Sequence, residues 1–331
     1  MIGKGPAALF GVSRRQDLAT QMNATLAEAR TLRDLRDLPT TMRQRFDLRT
    51  DRTLTGTRVR AVVDGSVAPG FLFHPDGFVR EAALDALEAP VNGVAVAWGV
   101  LLRLNDWVPE IRTAAWRALP RCRDGADPAP WVEALCAVFR VGRSWTRWGD
   151  GYDRIVAWTM ADPGLSDGLV RRMAGGDASG QSRILRAIAP SPRIDPHLAH
   201  LAASARSARV RAMALDALIA GRIAWPLGTR RRVWTDKPMG RSVLKPVFEA
   251  RDLTVTTDMA NILRTALPDP AAPVRAVVLD ALIRHRARPD MAPLIADARL
   301  SYRRDRRSSV RQRLDYLDRV MPPRDQALTQ R

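Results

Sequence analysis

One frame recurs along this chain and limits what the chain can fold into. It is an aliphatic residue followed by Arg, and then apolar positions at helical spacing. Asp106 to Leu119 reads DWVPEIRTAAWRAL and Asp269 to Leu282 reads DPAAPVRAVVLDAL, each with Asp leading and Arg after five intervening residues. His74 to Leu87 (HPDGFVREAALDAL) and Ala205 to Leu218 (ARSARVRAMALDAL) repeat the frame without the leading Asp, and Ser309 to Leu317 is a shorter echo. The aliphatic-Arg step falls at Val79, Ile111, Val210, Val274 and Val310, so the gaps are 32, 99, 64 and 36 residues. These are close to one, three, two and one units of about 33, a helical-repeat period. The phasing predicts further registers near residues 145, 180 and 243, with Gln181–Ile188 and Arg241–Ala250 as degenerate copies. Around Trp145 no copy is legible.

Within a clear unit, Val274, Val277, Val278, Ala281 and Leu282 fall at i, i+3, i+4, i+7 and i+8, one apolar helical face. Arg288-Pro289-Asp290 then breaks the chain, and Met291, Leu294, Ile295 and Ala298 begin a second amphipathic helix. Such a helix pair cannot bury its face alone and must stack on neighbours. The pattern resembles the HEAT repeat family, in its short bacterial, phycobilisome-lyase-type form. The carrying residues are Asp269, Val274, Arg275, Ala276, Leu279 and Leu282, with Asp106, Ile111, Arg112, Ala115 and Leu119. The resemblance implies that the turn Asp and the helix Arg form hydrogen-bonded ladders between adjacent repeats. It also implies an all-α fold, a right-handed α-solenoid of about seven helix pairs with an N-terminal helical cap.

The expected division is a cap and polar Arg-rich segment over 1–70, and repeats over 71–331 with an irregular insertion at 221–245. In the cap, residues 17–38 read as one helix, with Leu18, Met22, Leu26, Ala29, Leu32 and Leu35 on a stripe and Asp17 as N-cap. Val59 to Phe73, around Asp64-Gly65, reads as a hairpin.

With 331 residues, 46% of them hydrophobic, the chain can bury a sizeable core, which excludes disordered and fibrous classes. Lys plus Arg total 53 against 35 Asp plus Glu, a formal net charge of +18. Lys occurs only at Lys4, Lys237 and Lys245. The excess is local: +5 over 1–70, zero over 71–200 and +13 over 201–331. That asymmetry points to an acidic partner met by the C-terminal part. Two cysteines, Cys122 and Cys136, make no disulfide framework. No apolar run suits a membrane span and the N-terminal apolar patch is too short for a secretory signal, so the expected place is the cytoplasm.

Gly221 to Lys245 interleaves Arg230, Arg231, Arg232, Lys237, Arg241 and Lys245 with Trp225 and Trp234. Cations neutralise phosphates while indoles stack on bases, so this stretch suits nucleic acid or another polyanion. The bland alternative is a solvated loop whose tryptophans tuck back onto the repeats. A second basic cluster, Arg303, Arg304, Arg306 and Arg307, is either a further binding surface or a charged end cap. Arg80, Arg112, Arg211, Arg275 and Arg311 match the ladder position and are read as structural.

The leading expectation is therefore a non-enzymatic binding solenoid. The rival is a protein-interaction scaffold holding an acidic partner. A third reading is enzymatic. Trp158 and Asp162 have the spacing found in the HEAT-like alkylpurine DNA glycosylases, where Asp would stabilise an oxocarbenium-like transition state. Four histidines and two cysteines offer no metal-ligand set, and no P-loop, GxGxxG, GxSxG or HExxH motif occurs. Neither a metal nor a small-molecule cofactor is expected, and the oligomeric state stays open.

Overall fold

A computed structural model describes residues 12–48, 63–176 and 179–321. The described chain is mostly helical, with one two-stranded antiparallel sheet, so it is not purely α. No described helix is long and apolar enough to cross a membrane. The chain forms two compact units that divide between Gly168 and Leu169.

Unit 1 begins with α1 (Val12–Glu28) and α2 (Leu32–Arg45), where the sequence suggests one helix. Asp17 lies inside α1 instead of capping it. The break comes from Thr31, whose hydroxyl accepts the Asp34 N–H while the Asp34 carboxylate accepts the Thr31 N–H. This reciprocal capping starts a new helix more favourably than the apolar stripe continues the old one. Residues 49–62 lie outside the described ones, so the first part of the expected Val59–Phe73 hairpin cannot be placed. The rest is a turn leading into a short helix, α3 (Ala68–Phe71).

There follow α4 (Gly77–Ala86), α5 (Val94–Arg103), α6 (Pro109–Arg123), α7 (Pro128–Val141), α8 (Gly151–Ala161) and α9 (Pro163–Gly175), inside which the units divide. α4 packs on α6 and α5 on α7, while α1 lies against α3 and α5. Arg80 of α4 reaches across to Asp106, just before α6, through two bonds of 2.9 Å, and Arg103 adds a third of 2.8 Å. The Arg80 and Asp106 side chains are each 1% exposed. Arg112 continues the line by donating to the Asp106 carbonyl. Burial is the main reason the Arg103 guanidinium pKa falls to about 10, with Asp106 opposing the fall and Arg80 adding to it.

Unit 2 continues with α10 (Gln181–Ile188), α11 (Leu198–Ser204), α12 (Ala208–Ala220), α13 (Met259–Ala266), α14 (Ala272–His285), α15 (Ala292–Tyr302) and α16 (Ser308–Val320). α12 packs on α14 and α14 on α16, and α11, α13 and α15 form a second row. Flanked on both sides, α14 buries Leu279 besides Val274, Val278, Ala281 and Leu282, while Val277 is only half-buried. The ladder recurs here. Arg211 bonds Asp269 at 2.7 and 2.9 Å, Arg275 bonds Asp305 at 2.6 Å, and Arg311 donates to the Asp305 carbonyl. Arg211 and Arg275 each stand four residues into their helices, so the ladder aligns the N-terminal ends of α12, α14 and α16 along one edge.

The ladder corrects the phasing of the repeat. The 64 residues between Val210 and Val274 hold most of α12, a two-stranded ribbon, α13 and the start of α14. The expected register at 243 is absent, and Arg241–Ala250 lies in a strand. In place of an irregular stretch stand β1 (Arg222–Asp236) and β2 (Arg241–Asp252), paired antiparallel. Gly221, at φ 65°, ends α12 and turns the chain into β1.

Candidate nucleic-acid interface

The ribbon is rooted firmly and free at its far end. Ile223 and Trp225 are buried at the root, where β1 packs on α10 and α12. The Leu253 N–H donates to the Gly221 carbonyl, so both ends of the ribbon meet. Arg251 clamps the root. Its guanidinium donates to both Asp195 oxygens at 2.7 and 2.9 Å and to the carbonyls of Ala189 and Ser191. Burial pushes the Asp195 carboxyl pKa up. Arg251 and the Thr254 N–H and hydroxyl outweigh it, and the pKa sits below the ordinary range.

Beyond Pro226 the strands leave the helices. β1 gains extra residues between Pro226, opposite Phe248, and Arg230, opposite Pro246, and Gly228 sits at φ 82° in this bulge. Paired residues share a face and faces alternate along a strand, which sorts the side chains. Arg231 and Lys245 lie directly opposite each other beside the Val233–Val243 pair. The other face carries Arg230, Arg232, Leu244, Phe248 and Trp234. Trp234 is 47% exposed, Phe248 57% and Leu244 59%. All six cations expected at 221–245 thus belong to one ribbon, whose free part holds a single acidic residue, Asp236. Trp234 is free on it, whereas Trp225 tucks back onto the helices.

The structure separates this ribbon from the second basic cluster. Arg304, Arg306 and Arg307 line a cleft of about 870 Å³ with Pro273, Ser309 and Arg313, at the edge where α14 and α16 begin. Arg303 ends α15 beside it. The ribbon leaves α12 at its C-terminal end, so the clusters lie on opposite edges, about 20 Å of helix apart. The basic residues on the ribbon's own edge are Arg284, Arg286 and Arg288, where α14 ends. Of these, Arg288 is paired with Asp290 at 2.6 Å. Their alignment with the ribbon follows from helix phase and from the ladder, which the count of charges per segment does not carry.

In unit 1, Trp158 packs on Trp131 at 6.1 Å, and the Trp131 indole donates to the Val91 carbonyl. Asp162 is held by Arg123 at 3.0 Å and accepts the Leu165 N–H at the start of α9. Both residues of the glycosylase pair therefore bind their own unit together. Trp145 and Trp148 pack at a tilt with ring centroids 4.9 Å apart, with Trp98 and Tyr152 against them, which fills the place where no repeat is legible. Both cysteines are buried and neither is in a disulfide.

In comparisons with known proteins, no family model, no curated protein and no solved structure matches the chain.

Proposed function

We propose that the helix pairs are HEAT-like repeats and that the ribbon inserted between two of them binds nucleic acid through its phosphates. The Arg–Asp ladder supports the first part, since it places Asp before one helix and Arg within the previous one in both units. The second part is carried by the Arg231–Lys245 pair. Like charges facing across a ladder destabilise a ribbon, and a two-stranded ribbon is marginal to begin with. A phosphate oxygen between the two cations turns that repulsion into charge-assisted hydrogen bonding. Trp234, Leu244 and Phe248, exposed beside Arg230 and Arg232, offer sugars and bases an apolar surface. Arg–phosphate contacts carry no sequence information, so the binding is not base-specific.

If about six ribbon cations engage phosphates, log affinity on duplex DNA falls with log salt at a slope near −5. Fluorescence anisotropy on a labelled duplex across a salt series tests this. Replacing Arg230, Arg231 and Arg232 by Ala weakens binding and flattens the slope by about 3. Unchanged affinity in that variant refutes the assignment.

A scaffold role has one observation of its own, and it lies in unit 1. There Phe78 and Trp107 stand exposed around a cleft of about 540 Å³ rimmed by Glu81 and Glu110. That chemistry suits an apolar segment carrying a positive charge, unlike the acidic partner the net charge suggests.

A further inference from the structure

Resting on the ribbon as the nucleic-acid-binding element, we propose that its tip is a wedge. Met239 enters the minor groove of duplex DNA between two base pairs and kinks the helix there. The preferred ligand is accordingly a duplex that deforms easily.

The tip is built to hold Met239 outward. The Gly240 N–H donates to the Lys237 carbonyl at 3.1 Å, closing the turn, and Gly240 takes φ 65°, which a side chain would resist. The Asp236 carboxylate accepts the Met239 N–H at 3.1 Å and fixes the preceding corner. Pro238 removes one backbone freedom between them. The backbone of the turn is thus fixed on both sides of Met239, whose side chain is 65% exposed. Lys237 and Arg241 bracket it, so the apolar pair Pro238–Met239 at the tip sits between two cations.

Reach and shape agree with this use. The ten residues of β1 beyond Pro226 span about 30 Å, the length of roughly nine base pairs. Apolar wedges of this kind, Met and Pro among them, unstack a base step from the minor groove while flanking cations hold the phosphates of the bent duplex. The free ribbon displays Arg and Lys but no Asn or Gln. Discrimination therefore comes from deformability: flexible TA and CA steps are kinked readily and A-tracts resist. The exposed Trp234 lies farther back on the ribbon, where it meets sugars flanking the opened step.

The test uses the full chain and a duplex with dyes at both ends and 2-aminopurine at a central TA step. Binding of the wild type shortens the end-to-end distance by energy transfer and raises 2-aminopurine fluorescence. Met239→Ala keeps the salt slope and loses both signals, and Met239→Leu, another wedge, restores them. An A-tract duplex binds more weakly than the TA duplex. The wedge is overturned if the wild type binds without shortening the duplex, if Met239→Ala bends it equally, or if single-stranded DNA binds tighter than duplex. If neither DNA form binds at all, the ribbon reading falls together with the wedge. Met239 is an exposed tip residue, so neither substitution threatens folding.

Discussion

Arg211 and Asp269 stand 58 residues apart in the chain, yet bonds of 2.7 and 2.9 Å join them. Arg275 and Asp305, only 30 residues apart, are joined at the equivalent place by one bond of 2.6 Å. The helices therefore stack as though the ribbon were absent. Replacing 227–247 with Asn-Gly, a two-residue turn joining the paired Pro226 and Phe248, retains Ile223, Trp225 and the Arg251 clamp. We expect unchanged helical circular dichroism and a midpoint of thermal unfolding close to that of the full chain, with nucleic-acid binding lost. Retained binding would show that the helices carry the site.

Asp106 pairs with two buried guanidiniums, Arg80 and Arg103. Asp106→Ala leaves Arg80 and Arg103 without their counter-charge inside unit 1, a loss of about 3–5 kcal/mol. Chemical denaturation followed by circular dichroism reads this as a lower midpoint for unit 1. An equal loss in Arg112→Ala, which breaks only a bond to a carbonyl, would contradict the central place given to Asp106.

The clamp at the ribbon root makes a separable prediction. Asp195→Ala removes the counter-charge of Arg251, which keeps only its carbonyl partners, and the acceptor of the Thr254 hydroxyl, at a cost of about 3 kcal/mol. Hydrogen exchange then speeds up in β1 and β2 more than in α14. Uniform acceleration through unit 2 would mean that the ribbon and the helices open together.

His74 gives unit 1 a pH dependence. Burial lowers its pKa to about 4, Asp76 works against this, and Arg80 and Arg43 add to it. The unfolded chain therefore takes up a proton below about pH 6.5 that the folded chain refuses until about pH 4. Stability is complete above pH 6.5 and declines toward pH 4, by roughly 3 kcal/mol over the whole window. The Nδ1 atom accepts the Asp76 N–H, so His74→Asn preserves an acceptor with nothing to titrate. Urea midpoints at pH 7 and pH 5 should converge in that variant and differ in the wild type.

Arg306→Ala combined with Arg307→Ala should leave the salt slope on a 12-base-pair duplex unchanged, since these residues lie on the edge away from the ribbon root. A slope flattened as much as by the ribbon substitutions would place one ligand across both edges.

Much of the helical framework was legible because the ladder demands Asp and Arg at fixed places, and Asp106, Arg211, Asp269 and Arg275 all stand there. An insertion at 221–245 is legible from its lack of helical periodicity, but its form as a paired ribbon is not. Arg222–Asp252 is close to one repeat in length, so the spacing alone also puts a register near 243 there. Its strands also lack the usual alternation, because a two-stranded ribbon has solvent on both faces beyond its root. Each strand is an edge as well, which tolerates Pro226 and Pro246 where a central strand would not. In the N-terminal helices the apolar stripe ran across Ala29, and it concealed a helix start that Thr31 and Asp34 announce. Neither charge nor composition could tell that Arg231 faces Lys245 while Arg306 belongs to another edge, because that depends on strand register and helix direction.

The bond between the Gly221 carbonyl and the Leu253 N–H has a further effect, on chain entropy. A flexible loop costs about 0.6 kcal/mol more to close for each doubling of its length. A ribbon that pairs with itself and returns to its starting point spares the helices that penalty. The excursion from Arg222 to Asp252 is a side branch whose length is nearly invisible to the stack. At this position the chain can lengthen, shorten or exchange its binding element while the framework beneath keeps its stability.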